Sequence, residues 1–193
     1  MKGEAIMKQK QQSNGDIKLG KFISLILRHQ PSVIGISLDE NGWADVSELI
    51  AGINRSGRQI DLSILERIVA QNDKQRYCFN QDHTKIRANQ GHSISVDIQL
   101  QQKKPPALLY HGTATAFLKS ITKDGIKKQS RQHVHLSKDK QTAVDVGIRH
   151  GIPAVLTIDA EKMSQDGYLF YLSQNGIWLC DYIPPNYIIK IEH

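Results

Sequence analysis

The chain has 193 residues, enough for one large domain or two small ones, and its 39% hydrophobic and 23% charged residues are typical of a soluble globular protein. No apolar run approaches the roughly 20 residues that a membrane helix needs. The N-terminal lysines precede no apolar stretch, so we expect a cytoplasmic protein with no membrane partner. Residues 1–15 are polar and rich in Lys and Gln, which predicts a disordered tail.

The net charge of +6 is distributed unevenly along the chain. Residues 117–140 contain seven Lys or Arg side chains and two Asp side chains. Such a cluster favours a polyanionic partner such as nucleic acid, although most charged runs are only solvated surface. The two cysteines, Cys78 and Cys180, have apolar neighbours and no CxxC spacing, which predicts buried free thiols rather than a zinc site.

The clearest break in the chain is the polar segment 99–106, which ends in two prolines. Consecutive prolines can continue neither a helix nor a central strand. We therefore predict a linker over residues 99–106 between an N-terminal domain (residues 16–98) and a C-terminal domain (residues 107–193).

The N-terminal domain is predicted to begin with three helices. A helical stripe of apolar residues ends at Pro31, and Asp45 with Glu48 is typical of a capping pair that opens a second helix. Asp61 or Ser63 caps a third helix. Residues 76–79 and 85–87, separated by a turn, then form a β-hairpin pattern. Three helices and a hairpin predict a winged helix, which either binds nucleic acid or serves only as a structural domain.

The C-terminal domain has the pattern of a mixed α+β domain. One helix is expected to end at Gly125, and another to run from Asp139 to about His150. Six strands are predicted, over residues 107–110, 133–137, 153–158, 167–171, 177–179 and 187–191.

Arg28 and His29 stand together at the end of an otherwise apolar helix. An arginine guanidinium matches the geometry of phosphate, and a histidine can exchange a proton near neutral pH. The pair therefore suits phosphate binding coupled to proton transfer. A favourable placement of cations at a helix C-terminus explains it equally well at this point.

The tripeptide His111-Gly112-Thr113 follows a predicted strand. A glycine there would let a ligand approach the backbone, and its two neighbours offer hydrogen bonds. By itself the tripeptide is a weak indication of a binding site.

Every second residue of the segment 131–137 has a polar side chain, and Val134 and Leu136 are apolar. In a strand this period places four polar side chains on one face: Arg131, His133, His135 and Ser137. His133 and His135 could also be metal ligands, but no carboxylate or cysteine has a supporting spacing, so we expect no metal site.

Seven segments occurring in this order together resemble the tRNA/RNA 2′-phosphotransferases, over roughly residues 17–193. They are residues 27–31, 41–43, 73–77, 86–93, 110–113, 131–137 and 147–151. The resemblance implies a winged-helix RNA-binding lobe over residues 16–98 and an ADP-ribosyltransferase-like NAD-binding lobe over residues 107–193.

The resemblance also implies an activity. Such enzymes remove an internal 2′-phosphate from RNA, such as the one at a tRNA splice junction, by transferring it to NAD. A 2′-phospho-ADP-ribosylated RNA is the intermediate, and the products are RNA with a free 2′-OH, ADP-ribose 1″,2″-cyclic phosphate and nicotinamide. NAD is consumed, no metal is needed, and we expect a monomer.

Site residues follow from the matching motifs. The residues implied as catalytic are Arg28, His29, Arg76 and Arg131. Those implied in NAD binding are His111, Gly112, Thr113, His133, His135, Leu136, Ser137, Arg149 and His150. Those implied in RNA binding are Lys74, Asn89, Gln90, His92 and Ser93.

Two alternative functions compete with this one. A mono-ADP-ribosyltransferase would stop after the first step, and such enzymes usually carry a catalytic Glu, but no Glu-x-Glu or Gln-x-Glu pair occurs in the C-terminal domain. A winged-helix regulator with a ligand-binding domain would leave Arg28-His29 and residues 131–137 unexplained.

Overall fold

The computed structural model of the protein describes the backbone of residues 2–193 and the side chains of residues 14–193. The chain divides into two compact units, Met1–Ile98 and Gln99–His193. Six α-helices and twelve short strands occur in the described part, so the structure is mixed α/β. A disordered tail was predicted for residues 1–15, whereas the backbone of residues 2–15 is helical in the structure.

The first unit contains three helices. They are α1 (Lys2–Arg28), α2 (Val46–Arg55) and α3 (Leu62–Ala70). Both predicted caps are confirmed: the Asp45 carboxylate accepts from Glu48 N at 3.0 Å, and the Asp61 carboxylate accepts from Ile64 N at 2.8 Å. These bonds satisfy N–H groups that have no partner inside the helix. No helix of the described residues combines the length and the apolar character needed to cross a membrane.

A small antiparallel sheet completes the first unit. Its strands are β1 (Trp43–Asp45), β2 (Tyr77–Phe79) and β3 (Lys85–Ala88), in the order β1-β3-β2. The β2–β3 hairpin was predicted, whereas β1, which pairs Trp43 with Arg87, was not. The core beneath the sheet is aliphatic, and its fully buried side chains include Ile23, Ile26, Leu27, Leu49, Ile53, Leu65 and Ile86.

The second unit is built from three antiparallel sheets and three helices. The strands are β4 (Gln101–Gln102), β5 (Leu108–Ala114), β6 (Ile126–Lys127), β7 (Val134–Leu136), β8 (Pro153–Asp159), β9 (Tyr171–Leu172), β10 (Trp178–Cys180), β11 (Tyr182–Ile183) and β12 (Ile188–Glu192). The helices are α4 (Leu118–Asp124), α5 (Lys140–Gly147) and α6 (Ala160–Gln165). The sheets have the strand orders β4-β9-β10-β7, β11-β6 and β12-β8-β5.

Several predicted elements of the second unit need correction. Two residues of the predicted linker form β4, which pairs with β9. The strand expected at residues 107–110 continues through Ala114, because the whole of β5 pairs with β8. The prediction of a strand at residues 167–171 was wrong for four of its five residues. Those residues follow helix α6, and only Tyr171 belongs to a strand.

Helix α5 lies unusually close to strand β5. A Cβ atom on Gly112 would lie 1.8 Å from the carbonyl oxygen of Ala143 in α5, and one on Gly147 would lie 2.6 Å from the carbonyl oxygen of Thr113. Real Cβ atoms do not approach backbone oxygens to these distances, so only glycine fits at either position. Gly112 therefore has a packing role that does not involve a ligand.

Replacing Gly112 by Ala should force α5 away from β5. We expect the second unit to lose about 1–3 kcal/mol of unfolding free energy, the typical effect of overpacking. Urea unfolding can be followed by the fluorescence of Trp178, in a Trp43→Phe background that leaves Trp178 as the remaining tryptophan.

Gly15→Ala is the matched control, because nothing lies within 4 Å of the Cβ position at Gly15. If Gly112→Ala unfolds at the same urea concentration as this control, the close packing of α5 on β5 is not what requires the glycine.

Candidate functional site

In the first unit, Arg28 and His29 lie where α1 ends. Leu27, just before them, is fully buried, and the two polar side chains are half-buried. The segment after β3 runs past this helix end: Ser93 N donates to the Arg28 carbonyl at 3.0 Å. The Ser93 hydroxyl also lies 2.9 Å from His29 Nδ1. Ser93 therefore restrains both the backbone of the helix end and the orientation of the imidazole.

Gly91 brings the same segment against the Arg28 guanidinium. Its φ of +89° is a conformation that favours glycine, and its Cβ position is 3.6 Å from Arg28 Cζ. Nε and Nη2 of Arg28 are shielded from solvent. Of the neighbouring residues predicted to bind RNA, Gln90 is half-buried, whereas His92 is 1% exposed and packs near Gly42. The side chain of His92 thus belongs to the interior of the unit.

Arg76 lies directly before β2 and is tied to the same segment. Asn89 N donates to the Arg76 carbonyl at 2.9 Å, and Asn89 Nδ2 donates to the Gln75 carbonyl at 2.6 Å. The remaining polar atom of Asn89, Oδ1, is shielded from solvent and has no hydrogen-bond partner among the described residues. Lys74, in the same loop, is exposed.

In the second unit, backbone carbonyls fix the tautomers of two histidines. His111 Nδ1 lies 3.0 Å from the His135 carbonyl, and His135 Nδ1 lies 3.0 Å from the His133 carbonyl. A carbonyl oxygen only accepts, so each Nδ1 carries a hydrogen. Burial lowers the pKa of His111, and the positive charges of Arg131 and His150 lower it further, against the opposing effect of its hydrogen bond. His111 is therefore neutral at pH 7, with Nε2 as an acceptor.

His133 has a different environment. Burial lowers the pKa of its imidazole, the carboxylate of Asp181 opposes this shift, and the charge of Lys128 adds to it. The ring meets Tyr171 edge-on, with 5.9 Å between centroids. Asp181, Lys128 and Tyr171 were not among the predicted site residues. Asp181 and Tyr171 are far from His133 in sequence, and only the pairing of β7, β9 and β10 brings them near.

The predicted face of four polar side chains at residues 131–137 is only partly regular, because strand β7 covers only Val134–Leu136. Ser137 and Tyr110 exchange two backbone hydrogen bonds of 2.7 and 2.9 Å, which attach this segment to β5. Leu136 is 1% exposed and Thr113 is 7% exposed, so their side chains pack in the interior. Arg149 and His150 are exposed in a short 3-10 helix after α5.

The ion pairs found among the described residues involve mainly lysines, together with Arg67 and His83. Short ion pairs join Arg67 to Asp16, Lys85 to Asp39, Lys140 to Glu192 and Lys162 to Asp166, at 2.8–3.0 Å. None of the ion pairs found among the described residues includes Arg76, Arg131 or Arg149. Desolvation lowers the pKa of Arg131, but an arginine stays charged at neutral pH. These three guanidiniums can therefore attract an external anion.

The cysteines are free thiols, as predicted. Cys180 is buried, and burial raises its pKa to about 12, whereas Cys78 is half-buried beside Arg87. In the part of the chain with described side chains, no group of three or more His, Cys, Asp or Glu could hold a metal ion.

The electrostatic contacts of the two histidines can be tested by pH titration of labelled imidazoles. Replacing Arg131 by Gln removes a positive charge near His111, so the pKa of His111 should rise. Lys128→Gln should instead raise the pKa of His133 and leave that of His111 unchanged. The readout is the NMR chemical shift of each ring carbon between pH 4 and 9. Equal responses of both rings to either substitution would contradict these assignments.

Known proteins similar to this chain point to one family. The family model described as RNA 2′-phosphotransferase, Tpt1 / KptA family matches residues 14–182. A protein of Fusobacterium nucleatum named “Probable RNA 2′-phosphotransferase” is 58% identical over 176 residues, which are 91% of this chain and 98% of that protein. A protein of the same name from Flavobacterium johnsoniae is 55% identical over 170 residues, 88% of this chain and 93% of its own length. The chain therefore belongs to the RNA 2′-phosphotransferase, Tpt1 / KptA family.

Proposed function

We propose that this protein removes an internal 2′-phosphate from RNA, as at a tRNA splice junction, and transfers it to NAD. Family membership supports the RNA 2′-phosphotransferase activity, and the motif resemblance supports NAD as the acceptor. The observation that carries the proposal lies in the second unit: Arg131 is in none of the ion pairs found among the described residues, and its charge acts on His111, whose tautomer is defined by a backbone carbonyl. We further propose that the first unit is a winged-helix RNA-binding lobe and the second an ADP-ribosyltransferase-like NAD-binding lobe.

The proposed phosphate transfer requires positively charged side chains, because both substrates are anionic. The RNA 2′-phosphate carries up to two negative charges and must approach the pyrophosphate of NAD, so the two substrates repel each other. Arg28, Arg76 and Arg131 would offset this repulsion. Their charge does not depend on pH near neutrality, and a planar guanidinium can donate two parallel hydrogen bonds to phosphate oxygens. Three arginines can do this without Mg²⁺, and the absence of a metal requirement stays a prediction.

The second unit offers groups that suit NAD. Neutral His111, whose Nε2 is an acceptor, can bind a ribose hydroxyl, and the cations Arg149 and Arg131 suit a pyrophosphate. Leu136 and Thr113 are buried, so we expect them to act through their backbone atoms. The residues that would hold NAD are His111, Gly112, Thr113, His133, His135, Leu136, Ser137, Arg149 and His150. NAD would supply an electrophilic ribose carbon with nicotinamide as its leaving group.

The reaction is proposed to occur in two steps. An RNA 2′-phosphate oxygen forms a bond to ribose C1″ while the bond to nicotinamide breaks, giving 2′-phospho-ADP-ribosylated RNA. The ribose O2″ then attacks phosphorus, and the RNA 2′-oxygen leaves and takes a proton. RNA 2′-OH, ADP-ribose 1″,2″-cyclic phosphate and nicotinamide result. His29 would transfer the proton, as base toward O2″ or acid toward the leaving oxygen, while Ser93 holds its imidazole.

Three of the C-terminal carboxylates have structural partners, which does not suit the catalytic carboxylate of a glutamate-dependent ADP-ribosyltransferase. Asp159 caps helix α6, Asp166 accepts a 2.7 Å hydrogen bond from Tyr187, and Glu192 pairs with Lys140 at 2.8 Å. Each of these groups has a structural partner. A phosphate nucleophile needs no such base, because it is already ionised at neutral pH.

The proposed activity predicts strict dependence on NAD. Purified protein should convert an RNA with one internal 2′-phosphate to the 2′-OH form only when NAD is added. Mass spectrometry of the products should detect nicotinamide and ADP-ribose cyclic phosphate in equal amounts. Release of inorganic phosphate without NAD would show that the protein is a phosphatase instead.

The role of His29 predicts a loss of the second step. His29→Ala should slow release of the RNA 2′-OH about 100-fold or more, the usual effect of losing a proton-transfer group, and 2′-phospho-ADP-ribosylated RNA should accumulate. His83→Ala is the matched control, because His83 lies in the β2–β3 turn, where it is exposed and contacts Glu66. Full activity of His29→Ala would remove His29 from the mechanism.

A further inference from the structure

The loop between α3 and β2 holds Arg76 through one side chain, Asn72. Asn72 Oδ1 accepts two hydrogen bonds, from Arg76 N at 3.3 Å and from Arg76 Nη1 at 3.2 Å. One amide oxygen thus restrains both the backbone and the guanidinium of the same arginine. Asn72 is not one of the residues that the sequence motifs indicate.

The backbone on both sides of this contact is fixed. Gln75 N donates to the Asn72 carbonyl at 2.7 Å, and Gln75 has a φ of +40°, which is uncommon for a residue with a side chain. From the other side, buried Asn89 bonds the carbonyls of Gln75 and Arg76 at 2.6 and 2.9 Å. A strained turn persists only when its surroundings hold it, so the position of Arg76 is determined by the two asparagines.

The absence of charge on the Asn72 amide is as important for Arg76 as the position of that amide. An amide oxygen orients a guanidinium without carrying a charge, whereas a carboxylate there would form an ion pair with it. Among the described residues, the guanidinium of Arg76 donates one hydrogen bond, from Nη1 to Asn72 Oδ1. Arg76 is in none of the ion pairs found among the same residues. The guanidinium is thereby held in place with its positive charge and its other N–H groups available.

We propose that Asn72 is a positioning residue for Arg76, which it presents to the RNA 2′-phosphate through an uncharged acceptor. This inference rests on the proposed function, because it takes Arg76 as a phosphate-binding residue. Removing the amide would let the long arginine side chain sample other rotamers. Replacing it by a carboxylate would keep both hydrogen bonds but place a negative charge where the phosphate has to bind.

The test compares two RNA oligonucleotides that differ only in one internal 2′-phosphate. Fluorescence anisotropy gives the ratio of their dissociation constants, which measures recognition of the phosphate even in variants that do not turn over. Asn72→Ala should reduce this ratio about tenfold. Asn72→Asp should reduce it at least as much, while its unfolding temperature stays near that of the unaltered protein, because the acceptor bonds remain.

A double-mutant cycle shows whether Asn72 acts through Arg76. If it does, adding Asn72→Ala or Asn72→Asp to Arg76→Ala changes the ratio less than twofold. Asn80→Ala is the matched control. Asn80 is also a loop asparagine that accepts a backbone N–H, from Lys85 at 2.8 Å, but it lies at the β2–β3 turn. Asn80→Ala should leave the ratio of dissociation constants unchanged, both in the otherwise unaltered protein and in the Arg76→Ala variant.

Different outcomes overturn different claims. If Arg76→Ala keeps the full preference for the 2′-phosphorylated RNA, the proposed role of Arg76 fails, whatever Asn72 does. If Arg76→Ala loses the preference but Asn72→Asp retains it, the inference fails and the proposed function stands. An equal effect of Asn72→Ala with and without Arg76 would likewise show that Asn72 serves only the stability of the loop.

Discussion

The backbone hydrogen bonds of the segment after β3 hold together two parts of the first unit that are distant in sequence. Asn89 N bonds the carbonyl of Arg76 at 2.9 Å, and Ser93 N bonds the carbonyl of Arg28 at 3.0 Å. Because these contacts use main-chain atoms, they position the two arginines regardless of which rotamers their side chains adopt. The hairpin that delivers this segment therefore also sets the spacing of the cations. Any change that shifts strand β3 would therefore move the backbone of both Arg28 and Arg76.

The second unit uses backbone carbonyls in a related way. The carbonyls of His133 and His135 accept from imidazole Nδ1 atoms, so strand β7 decides which ring nitrogen of His111 and of His135 carries the hydrogen. Strand β7 is in turn held by pairing with β10, and its end is bonded to Tyr110 of β5. The tautomers of His111 and His135 thus depend on strand register.

Local patterns predicted those features whose causes are local. The caps at Asp45 and Asp61 and the hairpin after Arg76 were predicted, because a cap or a turn is determined by residues within four positions. Strand β1 was missed, since its three residues pair with a strand about 40 positions away. Gly112 was interpreted as a point of ligand approach, and only the position of α5 reveals its packing role.

The candidate site was predicted less completely than the fold, for a similar reason. Residue type and motif order indicated the arginines and histidines, but not the groups that orient them. Tyr171 contacts His133 only because the tertiary structure brings them together, whereas Asn72 contacts Arg76 within a single loop. An asparagine four positions before a predicted functional arginine could have been noticed, because a loop of that length returns the side chain to the later residue. Tyr171 offered no comparable local signal.

Ion pairs between exposed side chains matter less for the stability of this fold than for the binding of an anion. Exposed pairs such as Lys85 with Asp39 contribute little to folding, about 0–1 kcal/mol each, so the fold does not depend on neutralising every cation. Leaving Arg76 and Arg131 without carboxylates therefore costs little stability where solvent still reaches them. A carboxylate partner would have to be displaced by each incoming phosphate, which would weaken binding. Neutral acceptors such as Asn72 and the strand carbonyls avoid that competition while still fixing the geometry. A site built to receive an anion is thus better held by amides than by acids.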